Sequence, residues 1–158
     1  MRVIYVLSLL AILSSSCDTR NYIIDDTQTL SDKGWAYVDT LEFKANIEDT
    51  TTLYNLILTL NHSTQYARQN IYTQIHTTFP DGQRFSKQVG IDLADKTGKW
   101  YGDCSSEACT LEVPIQSNAF FNQAGNYTFT IEQYTRIDPL PSVQKVGFKI
   151  EHTGQKKG

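Results

Sequence analysis

Leu41–Ile47 reads LEFKANI, and its alternation decides the fold. Leu41, Phe43, Ala45 and Ile47 fall on one side of an extended chain, and Glu42, Lys44 and Asn46 on the other. A period of two marks a half-buried strand. The same period recurs down the chain. Leu56, Leu58 and Leu60 share one face of 53–60, and Ile71–Phe79 alternates as far as the turn signal Pro80-Asp81-Gly82. Val89, Ile91 and Leu93 repeat the spacing within 84–94, as do Leu111, Val113 and Ile115. Tyr127, Phe129 and Ile131 follow, and then Val146, Phe148 and Ile150. Strands in this number with no helices between them predict an all-β chain. The expected fold is a single antiparallel β-sandwich of seven to eight strands, Ig-like or jelly-roll-like. Ser117–Gln123 (SNAFFNQ) alone reads as a helical turn, with Ser117 as its cap and Gly125 as its stop.

Composition agrees. A length of 158 residues fits one domain plus a targeting segment. With 40% hydrophobic and 20% charged residues, the chain can bury a core and is no disordered tail. A net charge of −3 argues against a nucleic-acid binder, which would carry a clustered basic surface. Nine tyrosines, seven phenylalanines and two tryptophans suit strands better than helices.

The first residues read as an export signal. Val3–Leu13 follows Arg2 and is too short to span a bilayer, but it has the length of a signal-peptide h-region. Ser14, Ser15 and Ser16 then supply small residues, and Cys17 follows at once. The arrangement looks like a lipobox, although Ser14 stands where an apolar residue is usual. An ordinary secretory signal would leave an odd thiol, so Cys17 is expected to be lipidated. The expected layout is a lipoprotein signal peptide over 1–16 and a lipidated cysteine with tether over 17–32, whose one apolar triplet, Tyr22–Ile24, offers the start of a first edge strand. A β-sandwich follows over 33–153, and a flexible tail over 154–158.

Cys104 and Cys109 remain, spaced C-x4-C in DCSSEAC. An exported chain meets an oxidising compartment, so a structural disulfide is expected. No histidine or second cysteine pair lies nearby to make a metal site, and a redox pair would more typically be C-x-x-C. His62, His76 and His152 form no ligand motif and read as solvent-facing strand residues. Asp92 and Asp95 sit three apart, on opposite faces of a strand, and Asp95 opens a turn. Glu112, Glu132 and Glu151 take outward positions. Neither a nucleophile with a base nor a phosphate-cradling glycine loop is present. No enzyme activity, cofactor or metal is therefore expected. Trp100 and Tyr101, within Gly98–Gly102 (GKWYG), are the candidate contact residues. They would stack on a sugar or anchor a partner protein, or Trp100 would close one end of the sandwich. Trp35 is expected to be weighted toward the core in the same way.

Asp92–Gly102 (DLADKTGKWYG) and Phe121–Glu151 together resemble the GldH family of gliding-motility lipoproteins of Bacteroidetes. The second stretch carries Gly125-Asn126-Tyr127, Phe129, Ile131-Glu132-Gln133, Arg136, Leu140 and Val146–Glu151 (VGFKIE). Tyr54–Gly82 adds Tyr66, Asn70-Ile71-Tyr72 and Phe79–Gly82. Two places depart from the pattern: the loop after Gly102 carries cysteines rather than glycines, and Asn61 stands where a basic residue is expected. The resemblance implies a non-catalytic cell-envelope lipoprotein of the gliding apparatus and type IX secretion. It would be held by its lipid, most simply at the outer membrane facing the periplasm, and would work through other envelope components. The alternative reading is a lipid-anchored glycan-binding sandwich, which an exposed flat aromatic platform would favour.

Overall fold

The computed structural model describes residues 21–158. The lipidation expected at Cys17 and the signal peptide lie outside the described residues. The described chain is built of β1 (Tyr22–Thr29), β2 (Leu41–Ile47), β3 (Thr52–Ser63), β4 (Asn70–Thr78), β5 (Arg84–Asp92), β6 (Asp103–Cys104), β7 (Ala108–Ala119), β8 (Gly125–Gln133) and β9 (Val143–Lys156). They form two antiparallel sheets, ordered β1-β9-β3-β7-β6 and β2-β8-β4-β5. The chain is a β-sandwich, and each strand's alternation decides which of its faces is inside.

β2 lies buried at every odd position from Leu41 to Ile47 and exposed at every even one between. It pairs Phe43 with Phe129 of β8, so both rings enter the core side by side. Phe148 of the opposite sheet meets Phe129 at 4.7 Å and Phe43 at 5.8 Å between ring centres. Burial of these rings is the main source of cohesion, at about 25 cal/mol per Å² of apolar surface. β3 and β9 form the long central pair of the larger sheet, with Leu56, Leu58 and Leu60 facing Val146, Phe148 and Ile150 across the ladder. Gly147 sits where β1, β9 and β3 crowd together, and a Cβ there would lie 2.6 Å from Thr27 Oγ1.

Three expectations are corrected. The folded unit spans Tyr22–Lys156 rather than 33–153. Residues 22–29, placed in the tether with a first edge strand as the option at Tyr22–Ile24, form β1, an edge strand in register with β9 from Tyr22↔Glu151 to Thr29↔Lys145. An edge strand held mainly by its backbone ladder needs few apolar residues, and here Ile23 and Ile24 pack against the core. At the other terminus, residues 154–156 continue β9. Lys156 Nζ reaches Asp49 at 2.8 Å, and the Lys157 N–H donates to Thr51 at 2.7 Å, so this part of the tail is tied down. The expected helical turn at Ser117–Gln123 is also absent: β7 runs on to Ala119, which pairs with Tyr54. Phe121 then turns inward onto Tyr54 and Tyr127, at 5.3 and 4.8 Å. Packing against β3 outweighs the local helical signal.

Connections gather at two ends. Trp35 and Leu140 bridge backbone to backbone, and Ser63 bonds Ser142, so the loops after β1, β3, β5 and β8 share one end. The turns after β2, β4 and β7, with the start of β1, lie at the other. Eight residues of β1 separate the two ends by roughly 25 Å.

Candidate functional site at the loop end of the sandwich

The loop between β5 and β6 is built by Asp95. Its Oδ1 accepts from the Thr97 N–H (2.8 Å), the Thr97 hydroxyl (2.6 Å) and the Lys99 N–H (3.0 Å). The Thr97 bond, then the Lys99 bond, holds the Asp95 carboxyl below its usual range. Asp95 is thus a turn-former, as its place before Lys96-Thr97-Gly98 predicts. Ala94 bridges to Trp100, and the Tyr101 N–H donates to Leu93 at 2.8 Å. Gly102 (φ 84°) then reverses the chain; a Cβ there would strike the Thr110 carbonyl. β6 follows, and the Cys104–Cys109 disulfide closes the hairpin to β7. Its Cys109 half is buried and its Cys104 half exposed.

Trp100 and Tyr101 separate here. Trp100 is half-buried, its ring edge-on to His62 at 4.8 Å, whereas Tyr101 is 45% exposed. His62 is the surprise. Expected to face solvent, it is buried. It follows Leu56, Leu58 and Leu60 at period two, and β3 continues to Ser63, so its face is the core face. Nδ1 lies 3.0 Å from the Ser63 carbonyl, and Nε2 is buried without a partner among the described residues. Burial lowers its pKa, against the opposing pull of the Ser63 carbonyl, and so keeps the ring neutral. Trp35 is fully buried as expected, with Nε1 donating to the Asp39 carbonyl at 2.8 Å.

A second feature at this end escaped sequence reasoning. The outer face of the smaller sheet and the flanking loops enclose a groove of about 1030 Å³, rimmed by Tyr37, Tyr72 and Tyr134 with Arg68 and Arg136. Its loop wall is set by buried Gln133. Oε1 accepts from the Thr135 N–H and hydroxyl, at 2.9 and 2.7 Å, and Nε2 donates to the Ile137 carbonyl at 2.9 Å. The Tyr37 hydroxyl donates to the Thr135 carbonyl, pinning the β1–β2 loop to the same wall. A tyrosine at an outward strand position, Tyr72, was the local signal available. The convergence of three loops, which supply Tyr37, Arg68 and Tyr134–Ile137, was not legible, because it depends on topology.

Beside the groove, Ser86, His76 and Glu132 form a row across β5, β4 and β8. Ser86 Oγ meets His76 Nδ1 at 2.6 Å, and His76 Nε2 meets Glu132 at 2.9 Å. The order matches a hydrolase triad. Yet Ser86 stands exposed on an edge strand, and only Glu132 of the three lines the groove. The row is a cross-strand polar ladder at the side of the groove. Among the described residues, no group of three or more His, Cys, Asp or Glu side chains is placed to share a metal. No helix among them is long and apolar enough to cross a membrane.

A sequence profile of GldH lipoproteins matches residues 22–150, from the first residue of β1 to the core part of β9. The chain belongs to the GldH lipoprotein family. A gliding motility lipoprotein GldH homolog of Christiangramia forsetii is similar, with 24% identity over 155 residues and 94% of each chain covered. Membership makes this a lipoprotein of the gliding-motility class, anchored to a membrane of the cell envelope. Several residues that carried the resemblance to GldH are core, among them Phe129, Ile131, Val146, Phe148 and Ile150. Gln133 positions a loop, and Arg136 and Tyr101 face outward.

Proposed function

We propose that the chain is a non-catalytic envelope scaffold. Cys17 carries the lipid, the sandwich faces the periplasm from the outer membrane, and Tyr101 with its loop contacts components of the gliding and type IX secretion-associated machinery. The observation that carries this reading is the GldH match over residues 22–150, which reaches from β1 into β9. The fold's polarity supports it. Only four residues separate Cys17 from Tyr22, a reach of about 17 Å at most. A lipid at Cys17 would therefore hold the β1-start end near the membrane and leave the Tyr101 end outward. The loop there is fixed by Asp95, Gly102 and the disulfide, so a partner would meet a surface that needs little ordering. The half-buried Trp100 supports Tyr101 rather than serving as a platform itself.

Affinity purification from detergent-solubilised envelopes tests this. Native protein should recover gliding or secretion components; Cys17→Ala should lose them, and Tyr101→Ala should lose them without change in thermal stability. Recovery undiminished by both substitutions would overturn the proposal.

A further inference from the structure

The groove beside the Tyr101 loop lies outside the partner-contact reading and has its own chemistry. Tyr37, Tyr72 and Tyr134 are 46%, 43% and 54% exposed, although aromatic rings of this size are otherwise mostly interior. Tyr72 lies against Gly90 of β5, whose missing side chain leaves room for the ring; a Cβ there would come within 2.9 Å of it. Two guanidinium groups flank the rings. Among the described residues, neither Arg68 nor Arg136 joins an ion pair, whereas the groove's acid, Glu132, is engaged by His76. Asn70 and Gln88 add planar amides on the sheet floor. The groove's size lies just above the range of small-ligand sites, about 300–1,000 Å³, which leaves room for several sugar units, and it is open at the surface.

We propose that this groove binds an acidic saccharide, its pyranose faces stacked on the tyrosines and its carboxylates paired with Arg68 and Arg136. Aromatic rings offer apolar faces to the C–H face of a sugar, while planar amides and guanidinium groups satisfy its hydroxyls. The guanidinium fork matches a carboxylate in two parallel bonds, which selects for acidic units. An acidic peptide fits less well. Peptides taken by sheets add along an open edge through main-chain bonds, but at the groove floor β4 is paired by β5 on one side, and on the other, where the β8 ladder ends at Thr73↔Gln133, the Tyr72 carbonyl already accepts from the Tyr134 N–H. The tyrosine rings, guanidinium groups and amides of the lining carry the recognition, and that set suits a saccharide. The carboxylate could belong to a uronate polymer or to a cell-wall muropeptide, and the test separates the two.

Calorimetric titration of the full chain in detergent would use oligogalacturonate, muropeptides from digested peptidoglycan, neutral maltotetraose and a poly-Glu peptide. Binding of at least one acidic saccharide, with maltotetraose much weaker, is expected. Arg136→Ala and Tyr134→Ala should each lower that affinity about tenfold or more, as loss of a charge-assisted bond or an aromatic contact does. Their melting temperatures should stay native, and Tyr101→Ala should bind as native, which separates this result from the partner reading. Which saccharide binds assigns the source. No binding to either acidic saccharide, binding indifferent to both groove substitutions, or preference for poly-Glu would each overturn the proposal.

Discussion

His62 shows at a single residue how the sandwich closes. A neutral ring under Trp100 seals the core, and protonation would place a charge where Nε2 has no partner among the described residues. The folded pKa is lowered by burial, so below the unfolded value near 6.5 the unfolded state takes up the proton first. Stability is therefore full above that value and falls as pH drops through it toward the folded pKa. Urea unfolding at pH 7.5 and 5.5 should show this loss in the native protein and a smaller one in His62→Leu. Gly102 makes a sharper prediction. Its positive φ and its approach to Thr110 leave no room for a side chain, so Gly102→Ala should cost about 2 kcal/mol or more in the same assay. The identity of the glycine was visible in the sequence, but the carbonyl it avoids comes from another strand.

At the scale of elements, the strands with clean alternation were legible: β2, β4, β8 and the core of β9. The misreadings share one cause. β1 and the end of β7 are stabilised by neighbours distant in sequence, so their own residues carry weak signals. Asp25, Asp26 and Thr27 look like linker because all three are exposed, so the middle of this edge strand is wet on both faces. Deleting residues 22–29 while keeping Cys17 should therefore not merely shorten a tether. It should bare the edge of β9 and give aggregates in size-exclusion chromatography, whereas a true tether would be dispensable. The Cys104–Cys109 bridge closes a short hairpin, so reduction or Cys104→Ser should cost only about 2 kcal/mol in chemical denaturation and leave the fold intact. The disulfide was readable from compartment and spacing. The groove was not, since Tyr37, Tyr72 and Tyr134 come from three separate segments.

The whole molecule has a direction. Its chain enters at one end, next to the Asp49–Lys156 pair, and its aromatic loops collect at the other. Lys156, then Thr51 and Thr52, bonds Asp49 and holds its carboxyl far below the usual range. That clasp ties the C-terminal strand to the β2–β3 turn near the start of β1. A protein held by lipid at this end offers its Tyr101 loop to whatever stands off the membrane. Photo-crosslinking in cells from a reactive amino acid at position 101 tests this most directly, with Cys17 intact or changed to Ala. The account predicts a discrete protein adduct from position 101 that disappears in Cys17→Ala. Absence of any protein adduct from position 101, or an adduct equally strong without Cys17, would contradict it.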